Sequence, residues 1–486
     1  MNSFFSAISI SLSPNTEKDD IQLAWKLKFQ PWQWKKGKAI KELEEEFKKY
    51  LGVKYAVSFN SGRSALMAIL NALDIKKDNE ILLQAFTCNA AVNPILNRQA
   101  KPVFTDIDDT LNMDTESLEK KITPKSKAVM IQHTFGWPAQ IAEISKICRR
   151  GDETKASSLC TTSLEGVRKS KSSFGFAGAR VNHLYLIEDC AHSLGAKYKD
   201  KFCGTFGDAA FFSFGRDKII SSVFGGIAVT NNEKIGEGLK SFRDKLDYPS
   251  NSWILQQLLH PILISRLILP AFGLNQYMGR IFLGFSHKLS ILSKSVYKKE
   301  KKGEIPKYFP KRFPNALAVL ALNQFKKLEK FNEHRRQIAE FYEEELKDTN
   351  FILPLSKPEG DRTPVFMRFP VLIEKEFDER SSSLALRSAR ATKEFDERSS
   401  SSPFAVARAT DEILFVARKR KIYLGDGWRK SPVIPLDTDL EKMKYKSGSC
   451  PRAEKIAKEI LNLPTHINIS KKQAKKITDF LKQYEG

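Results

Sequence analysis

The chain has 486 residues, 41% of them hydrophobic and 28% charged, with ordinary numbers of Gly (25) and Pro (21). That composition excludes a fibrous chain, wholesale disorder and a small disulfide scaffold, and it leaves ample material for a large core. A formal net charge of +23 favours anionic partners, such as phosphate groups, nucleic acid or an anionic membrane surface, but is silent on fold.

Six cysteines stand at 88, 148, 160, 190, 203 and 450. None makes a C-x-x-C pair, and no His cluster has zinc-ligand spacing, so no metal is expected. Reduced thiols and a cytoplasmic location are the expectation for so long a chain. The stretch Met1–Ser13 is apolar but lacks a basic n-region and a small-residue cleavage site, which speaks against a signal peptide. The basic residues are scattered, with no recognisable nucleic-acid module, so nucleic acid is not an expected partner.

Residues 38–50 carry Ile40, Leu43, Phe47 and Tyr50 at helical spacing, and Gly52 follows as a stop. A strand at Tyr55–Phe59, a turn at Asn60-Ser61-Gly62 and a helix at Ser64–Leu73 come next. Further strands are predicted at Glu80–Leu83, Pro102–Asp106, Ala128–His133, Leu184–Ile187 and Ala209–Ser213. Strands that alternate with helices predict a mainly parallel sheet covered on both faces.

After Thr230 the character changes. Trp253–Phe272 is strongly apolar but broken by His260, Pro261, Arg266 and Pro270, which argues against a simple membrane span. It reads as a buried helical pair or dimer surface, or as an interfacial hairpin giving peripheral membrane contact through 253–290. A long helix is predicted over 316–347, a strand at Phe366–Ile373 and a helix at Glu412–Lys421. The expected division is a large domain over 1–235, an apolar helical segment and linker over 236–315, and a helix with a small α+β domain over 316–486. Two segments read as insertions. Residues 151–180 are rich in Ser, Gly, Lys and Arg. Residues 375–410 hold a tandem repeat in which Lys375-Glu-Phe-Asp-Glu-Arg-Ser-Ser-Ser383 recurs from Lys393.

Three short motifs carry chemistry. Ser61-Gly62-Arg63-Ser64 follows a strand and opens a helix, where backbone N–H groups and small hydroxyls can cradle a phosphate. Ile187-Glu188-Asp189-Cys190-Ala191-His192 ends a buried strand in carboxylates, at the sheet edge where α/β folds bind ligands. Phe211-Phe212-Ser213-Phe214-Gly215-Arg216-Asp217-Lys218 delivers a hydroxyl, a turn and a lysine whose amine can become nucleophilic when desolvated. Each alone has a plainer reading, as a common turn, a helix cap or a solvated lysine. Their order along one chain is the specific signal.

In that order, and in Tyr50-Leu-Gly-Val-Lys-Tyr-Ala-Val-Ser58, Lys101-Pro-Val-Phe-Thr-Asp-Ile-Asp108, His133-Thr-Phe-Gly136, Gly204-Thr-Phe-Gly-Asp-Ala-Ala-Phe-Phe-Ser-Phe214 and Leu461-Asn-Leu-Pro-Thr-His466, the chain resembles the DegT/DnrJ/EryC1/StrS sugar aminotransferases. The resemblance runs from about residue 8 to 480 outside the insertions. It implies the aspartate-aminotransferase (pyridoxal-phosphate fold type I) architecture and a pyridoxal 5'-phosphate cofactor. It further implies that Lys218 holds the cofactor covalently and moves protons, Asp189 pairs with the pyridine nitrogen, and His192 stands beside the ring. Ser61, Gly62, Arg63 and Ser213 would hold the phosphate. Two positions depart from the pattern. Cys88 stands where an aromatic stacks on the ring, so that role falls to Phe86 or is lost. Pro310 stands where an Asn reaches the partner subunit's phosphate. The implied activity is transfer of an amino group from an amino acid, glutamate in the family, to a keto-sugar, nucleotide-linked by expectation, within a homodimer. The rival readings are an inactive sensor or scaffold with this fold, and an aminotransferase for a lipid-linked sugar at the membrane face.

Overall fold

The computed structural model describes residues 7–160, 183–356, 360–373, 405–425 and 427–484, with side chains undescribed over 151–160 and 405–409. Its centre is a seven-stranded sheet: β1 (Tyr55–Phe59), β2 (Glu80–Gln84), β3 (Lys101–Thr105), β4 (Ser126–Gln132), β5 (Tyr185–Asp189), β6 (Ala209–Ser213) and β7 (Gly226–Thr230). The spatial order is β1-β7-β6-β5-β4-β2-β3. Neighbouring pairs are parallel except those of β7, which runs antiparallel to both β6 and β1. Two reversals cancel, so β1, β5 and β6 all end at the same edge. The strands are apolar on both faces because helices cover both. One such helix, α2 (Lys38–Leu51), buries Ala39, Leu43, Phe47 and Leu51 at helical spacing and stops at Gly52, whose φ of +69° suits a residue without Cβ.

A second, antiparallel sheet is built from β8 (Phe351–Ile352), β9 (Arg368–Ile373) and β10 (Ile460–Pro464) in that order. Helices α7 (Leu328–Leu346) and α8 (Lys471–Lys482) pack together beside it, and the Tyr342 hydroxyl donates to the Pro464 carbonyl at 2.9 Å. One continuous apolar core runs through both sheets.

The helix expectations change in part. The helix expected over 316–347 is two, α6 (Asn315–Phe325) and α7, separated at Lys326–Lys327. The Lys327 ammonium there reaches Asp19 at 2.8 Å and Asp20 at 3.2 Å, so tertiary ion pairs fix a break that the local period does not show. The segment read as an insertion from 151 opens inside a helix, Ile141–Cys160. The remainder of that segment, from 161 to 180, lies outside the described residues. So does the tandem repeat as far as 404, after which a helix runs Ala405–Lys419. The apolar stretch forms a helical hairpin. Asn251–Leu274 is helical throughout, beginning as α4 (Asn251–Leu263), and α5 (Gln276–Lys288) folds back along it.

Candidate active site

At the shared edge of β1, β5 and β6 lies a cavity of about 200 Å³. Its wall brings together residues from all three sequence motifs, among them Ser61, Gly62, Asp189, His192, Ser213 and Lys218. Each arrives there for a local reason. β1 ends and Ser61 caps helix α3 (Gly62–Ala72), its hydroxyl accepting from the Ser64 N–H at 3.2 Å. The first amides of α3 therefore face the cavity edge without helical partners. Gly62 allows this closeness, since a Cβ there would sit 3.1 Å from the Ser213 Cβ. Ser213 ends β6 and accepts the Gly215 N–H at 3.3 Å. Two hydroxyls and a helix start thus stand together where they could cradle an anion.

Asp189 ends β5 in the middle of the sheet. One carboxylate oxygen accepts the Ala191 N–H at 3.0 Å. Burial pushes this carboxyl up to about 6, against the lowering by that N–H and by Lys218 and His133. The neighbouring Glu188 has a different task. It is fully buried and accepts backbone N–H groups of Gly204 (2.7 Å), Phe206 (2.8 Å) and Gly207 (2.8 Å), with His133 Nε2 at 3.2 Å. His133, Glu188 and Cys190 lie close enough to suggest a metal cluster, but these bonds occupy the carboxylate and tie the 204–207 loop to the sheet.

Lys218 sits in the loop between β6 and β7, and its peptide is clamped from behind. The Asn15 side-chain amide donates to the carbonyls of Lys218 and, at 3.2 Å, Ile219. The buried Arg335 guanidinium donates to the Ile219 carbonyl (2.9 Å), Asn15 Oδ1 (2.7 Å) and Asn332 Oδ1 (3.1 Å). In front, Lys218 Nζ lies 2.9 Å from His192 Nε2. Burial, helped by the Lys218 and Arg368 cations, holds the His192 imidazole well below its ordinary range, so the ring is neutral. Burial would raise the adjacent Asp217 carboxyl, but Lys218 and Arg368 outweigh it and lower it, with Arg368 bonded at 2.9 Å.

Of two further expected residues, Arg63 lines the cavity with its guanidinium already engaged, and Phe86 does not line it. The Arg63 side chain turns away from the cradle into an ion pair with the fully buried Glu300, and it donates to Tyr308 Oη at 2.8 Å and the Ser295 carbonyl at 2.7 Å. Arg63 thus offers the cradle its backbone amide, while its guanidinium anchors segment 295–308. Phe86 is fully buried behind the wall, edge-on to Phe135 (6.2 Å) and Trp428 (5.7 Å), and Cys88 takes the lining position. Pro310 lies in a segment fastened to this same chain, where Asn60 donates to the Tyr308 carbonyl at 2.6 Å and accepts the Lys311 N–H at 3.1 Å.

Sequence reasoning missed other wall residues. Trp428 arrives from the C-terminal part, with its ring 4.9 Å from the His192 ring and edge-on to it. Gln132 ends β4 beside Asp189. Arg216 also lines the cavity. It donates to the Ser293 carbonyl (2.8 Å) and Oγ (2.9 Å), and its Nε has no partner among the described residues. Burial lowers its guanidinium to about 10, so it stays charged at neutral pH. Its place two residues before Lys218 was the only sequence signal for it.

A cradle for a phosphate, a buried carboxylate able to pair with a protonated ring nitrogen and a lysine on the same cavity fit pyridoxal 5'-phosphate. The fold and this donor set define a pyridoxal-phosphate protein of fold type I. Residues 15–152, 177–247 and 289–393 match the profile of the DegT/DnrJ/EryC1/StrS aminotransferase family, and the chain belongs to that family. It is 32% identical over 213 residues to GDP-perosamine synthase of Escherichia coli O157:H7, a match covering 44% of this chain and 50% of that protein. The chain thus spans about half the length of the curated relatives it matches. Among solved structures it is similar to Helicobacter pylori PseC, an aminotransferase of pseudoaminic acid biosynthesis, with a TM-score of 0.66, 22% identity and coverage of 98% and 99% of the two chains. Spr1654 of Streptococcus pneumoniae, solved in a PLP form, matches with a TM-score of 0.65 and 19% identity over 98% of both chains.

Proposed function

We propose that this chain is a pyridoxal-phosphate-dependent aminotransferase that moves an amino group from an amino acid, glutamate first, to the keto group of a nucleotide-linked sugar. The observation that carries this reading is the convergence of Lys218, Asp189 and the Ser61–Gly62–Ser213 cradle on one cavity. Family membership and the sugar chemistry of the perosamine synthase support it.

Bound there, the cofactor supplies an electron sink for the carbanion formed at the donor's Cα. The residues do the rest. The α3 amides with Ser61 and Ser213 bind the phosphate. Asp189 accepts the pyridine N–H and keeps that nitrogen protonated. Lys218 would hold the cofactor covalently, and its free Nζ would move the proton at the donor's Cα. The neutral His192 ring holds Lys218 Nζ in place. Arg216 offers an unspent N–H and a full positive charge to the donor's carboxylate. A homodimer, as the resemblance implies, completes the proposal.

A second reading changes only the acceptor, to a lipid-linked keto-sugar. It is favoured by the apolar hairpin, whose chain runs on into Ser295 and Val296 of the cavity wall.

The test is the visible absorbance of the purified protein with pyridoxal phosphate, wild type against Lys218→Ala. The proposal expects a band in the wild type that the variant lacks, that glutamate bleaches and that a nucleotide-linked keto-sugar restores. A wild type without that band would leave the inactive scaffold.

A further inference from the structure

The hairpin is chemically unlike the rest of the chain. From Tyr248 to Lys299 there is no Asp or Glu, whereas Arg266, Arg280, Lys288, Lys294, Lys298 and Lys299 all lie in this stretch and are exposed. The family profile skips it, matching up to residue 247 and resuming at 289.

Its packing is complete on one side only. Ile264, Ile268, Phe272 and Leu292 form a small core of their own, with Phe282 and Leu283 of α5 against it. Gly279 lets α5 approach, since a Cβ there would meet the Phe272 ring at 2.4 Å. The outward face of α5 should then be polar. Instead Tyr277, Met278, Ile281, Phe285 and Leu289 recur at helical spacing and are all exposed, Ile281 at 66%. Beside the first half of the hairpin packs α1 (Lys18–Lys28). It exposes Trp25 and Phe29, with Lys28 Nζ 3.7 Å from the Trp25 ring, and Trp32 just beyond is 72% exposed.

We propose that this face docks the enzyme on an anionic lipid bilayer, with the α5 stripe in the interface and the flanking Lys and Arg on the headgroups. An exposed apolar stripe, basic flanks and interfacial Trp are the three features such a helix needs. A second copy of the chain fits worse. A two-fold contact sets this face against itself, and the stretch holds six Lys and Arg with no acid to answer them. A span is not what the packing shows, because 56% of the apolar window in Asn251–Leu274 is buried inside the protein. The inference does not depend on the reaction proposed above. It would bring the cavity wall at Ser295 and Val296 towards the bilayer surface.

The experiment is flotation of the full-length protein, loaded with pyridoxal phosphate, with two kinds of vesicle: phosphatidylcholine alone, or phosphatidylglycerol and phosphatidylcholine in equal parts. The wild type should float with the anionic vesicles at low salt, less at high salt, and hardly with phosphatidylcholine alone. Ile281→Asp/Phe285→Asp should weaken binding by more than about tenfold, since two apolar anchors are lost. Both positions are exposed, so its melting temperature and cofactor absorbance should match the wild type. No flotation at low salt, or equal flotation of the variant, would overturn the proposal. So would light scattering in which the variant dissociates a wild-type oligomer without lipid, because the face would then be a contact between copies.

Discussion

Lys218 Nζ and His192 Nε2 lie 2.9 Å apart, joining the loop after β6 to the turn after β5 in the cavity wall. The ring is neutral and held between Phe135, stacked at 5.8 Å, and Trp428, edge-on at 4.9 Å. A ring so fixed can aim the lysine nitrogen but adds no charge. His192 is therefore a positioning residue. His192→Ala should keep the cofactor's absorbance yet lower kcat by about 10²-fold, the scale for misplacing a reacting group. The KM for glutamate should change little. His192→Gln, whose amide can reach the same nitrogen, should recover most of the rate. Equal rates for the wild type and His192→Ala would end this assignment.

Asp189 ties cofactor binding to pH. Its carboxyl sits near 6 without the cofactor, above the ordinary carboxylate value, because burial disfavours the charge. A raised carboxyl binds its proton more tightly in the folded than in the unfolded chain. Stability from that proton is present at low pH and lost as pH rises from about 4 to about 6. The cofactor's N–H needs the ionised form. Pyridoxal phosphate affinity should then fall by about tenfold per pH unit below 6, one proton being released on binding. Titrations of wild type and Asp189→Asn over pH 4.5–7.5 (a window about the value near 6) check it. The variant should bind weakly throughout and lose the step, and a step that persists would assign it to another group.

Much of this site was legible because chemistry follows apolar runs. β6 is Ala209–Ser213 in both the sequence reading and the structure, since five residues with no charge between turn signals admit little else. A strand so placed hands its last residue to the ligand edge, which is how Ser213 and Asp189 were found. What stayed hidden was set by distance along the chain. Trp428 is more than two hundred residues from Lys218 and carries no local signal. The break at Lys326–Lys327 depends on Asp19 and Asp20. Arg63 matched a phosphate motif, and only the fold shows that Glu300 claims its side chain.

That last pair can be measured. Glu300 is fully buried, and Arg63 is 12% exposed. Glu300 also accepts the Tyr297 N–H at 2.9 Å and the Tyr308 hydroxyl at 2.5 Å. Removing one charge leaves the other buried and unanswered, so Glu300→Gln should cost about 3–5 kcal/mol. Arg63→Met/Glu300→Gln should cost clearly less than the sum of the single changes. Urea midpoints of the four proteins give the cycle, and additive costs would mean that the pair is not coupled.

The cradle itself rests on one glycine that touches no ligand. Gly226 begins β7, and a Cβ there would meet the Gly62 nitrogen at 2.4 Å and its Cα at 2.6 Å. Both are backbone atoms at the first residue of α3, so no rotamer change relieves the clash, and the helix start must move. Gly226→Ala should cost about 1–3 kcal/mol, as overpacking does. Its larger effect should fall on the amides and hydroxyls that hold the phosphate, weakening pyridoxal phosphate binding by more than the stability loss alone explains. Gly284→Ala is the control. It lies inside α5 with no atom within 4 Å of its Cβ position, and should stabilise the helix by up to about 1 kcal/mol without touching the cofactor. Cofactor titration and thermal melting of both variants decide the matter. Wild-type affinity in Gly226→Ala would show that the phosphate is held somewhere other than the start of α3.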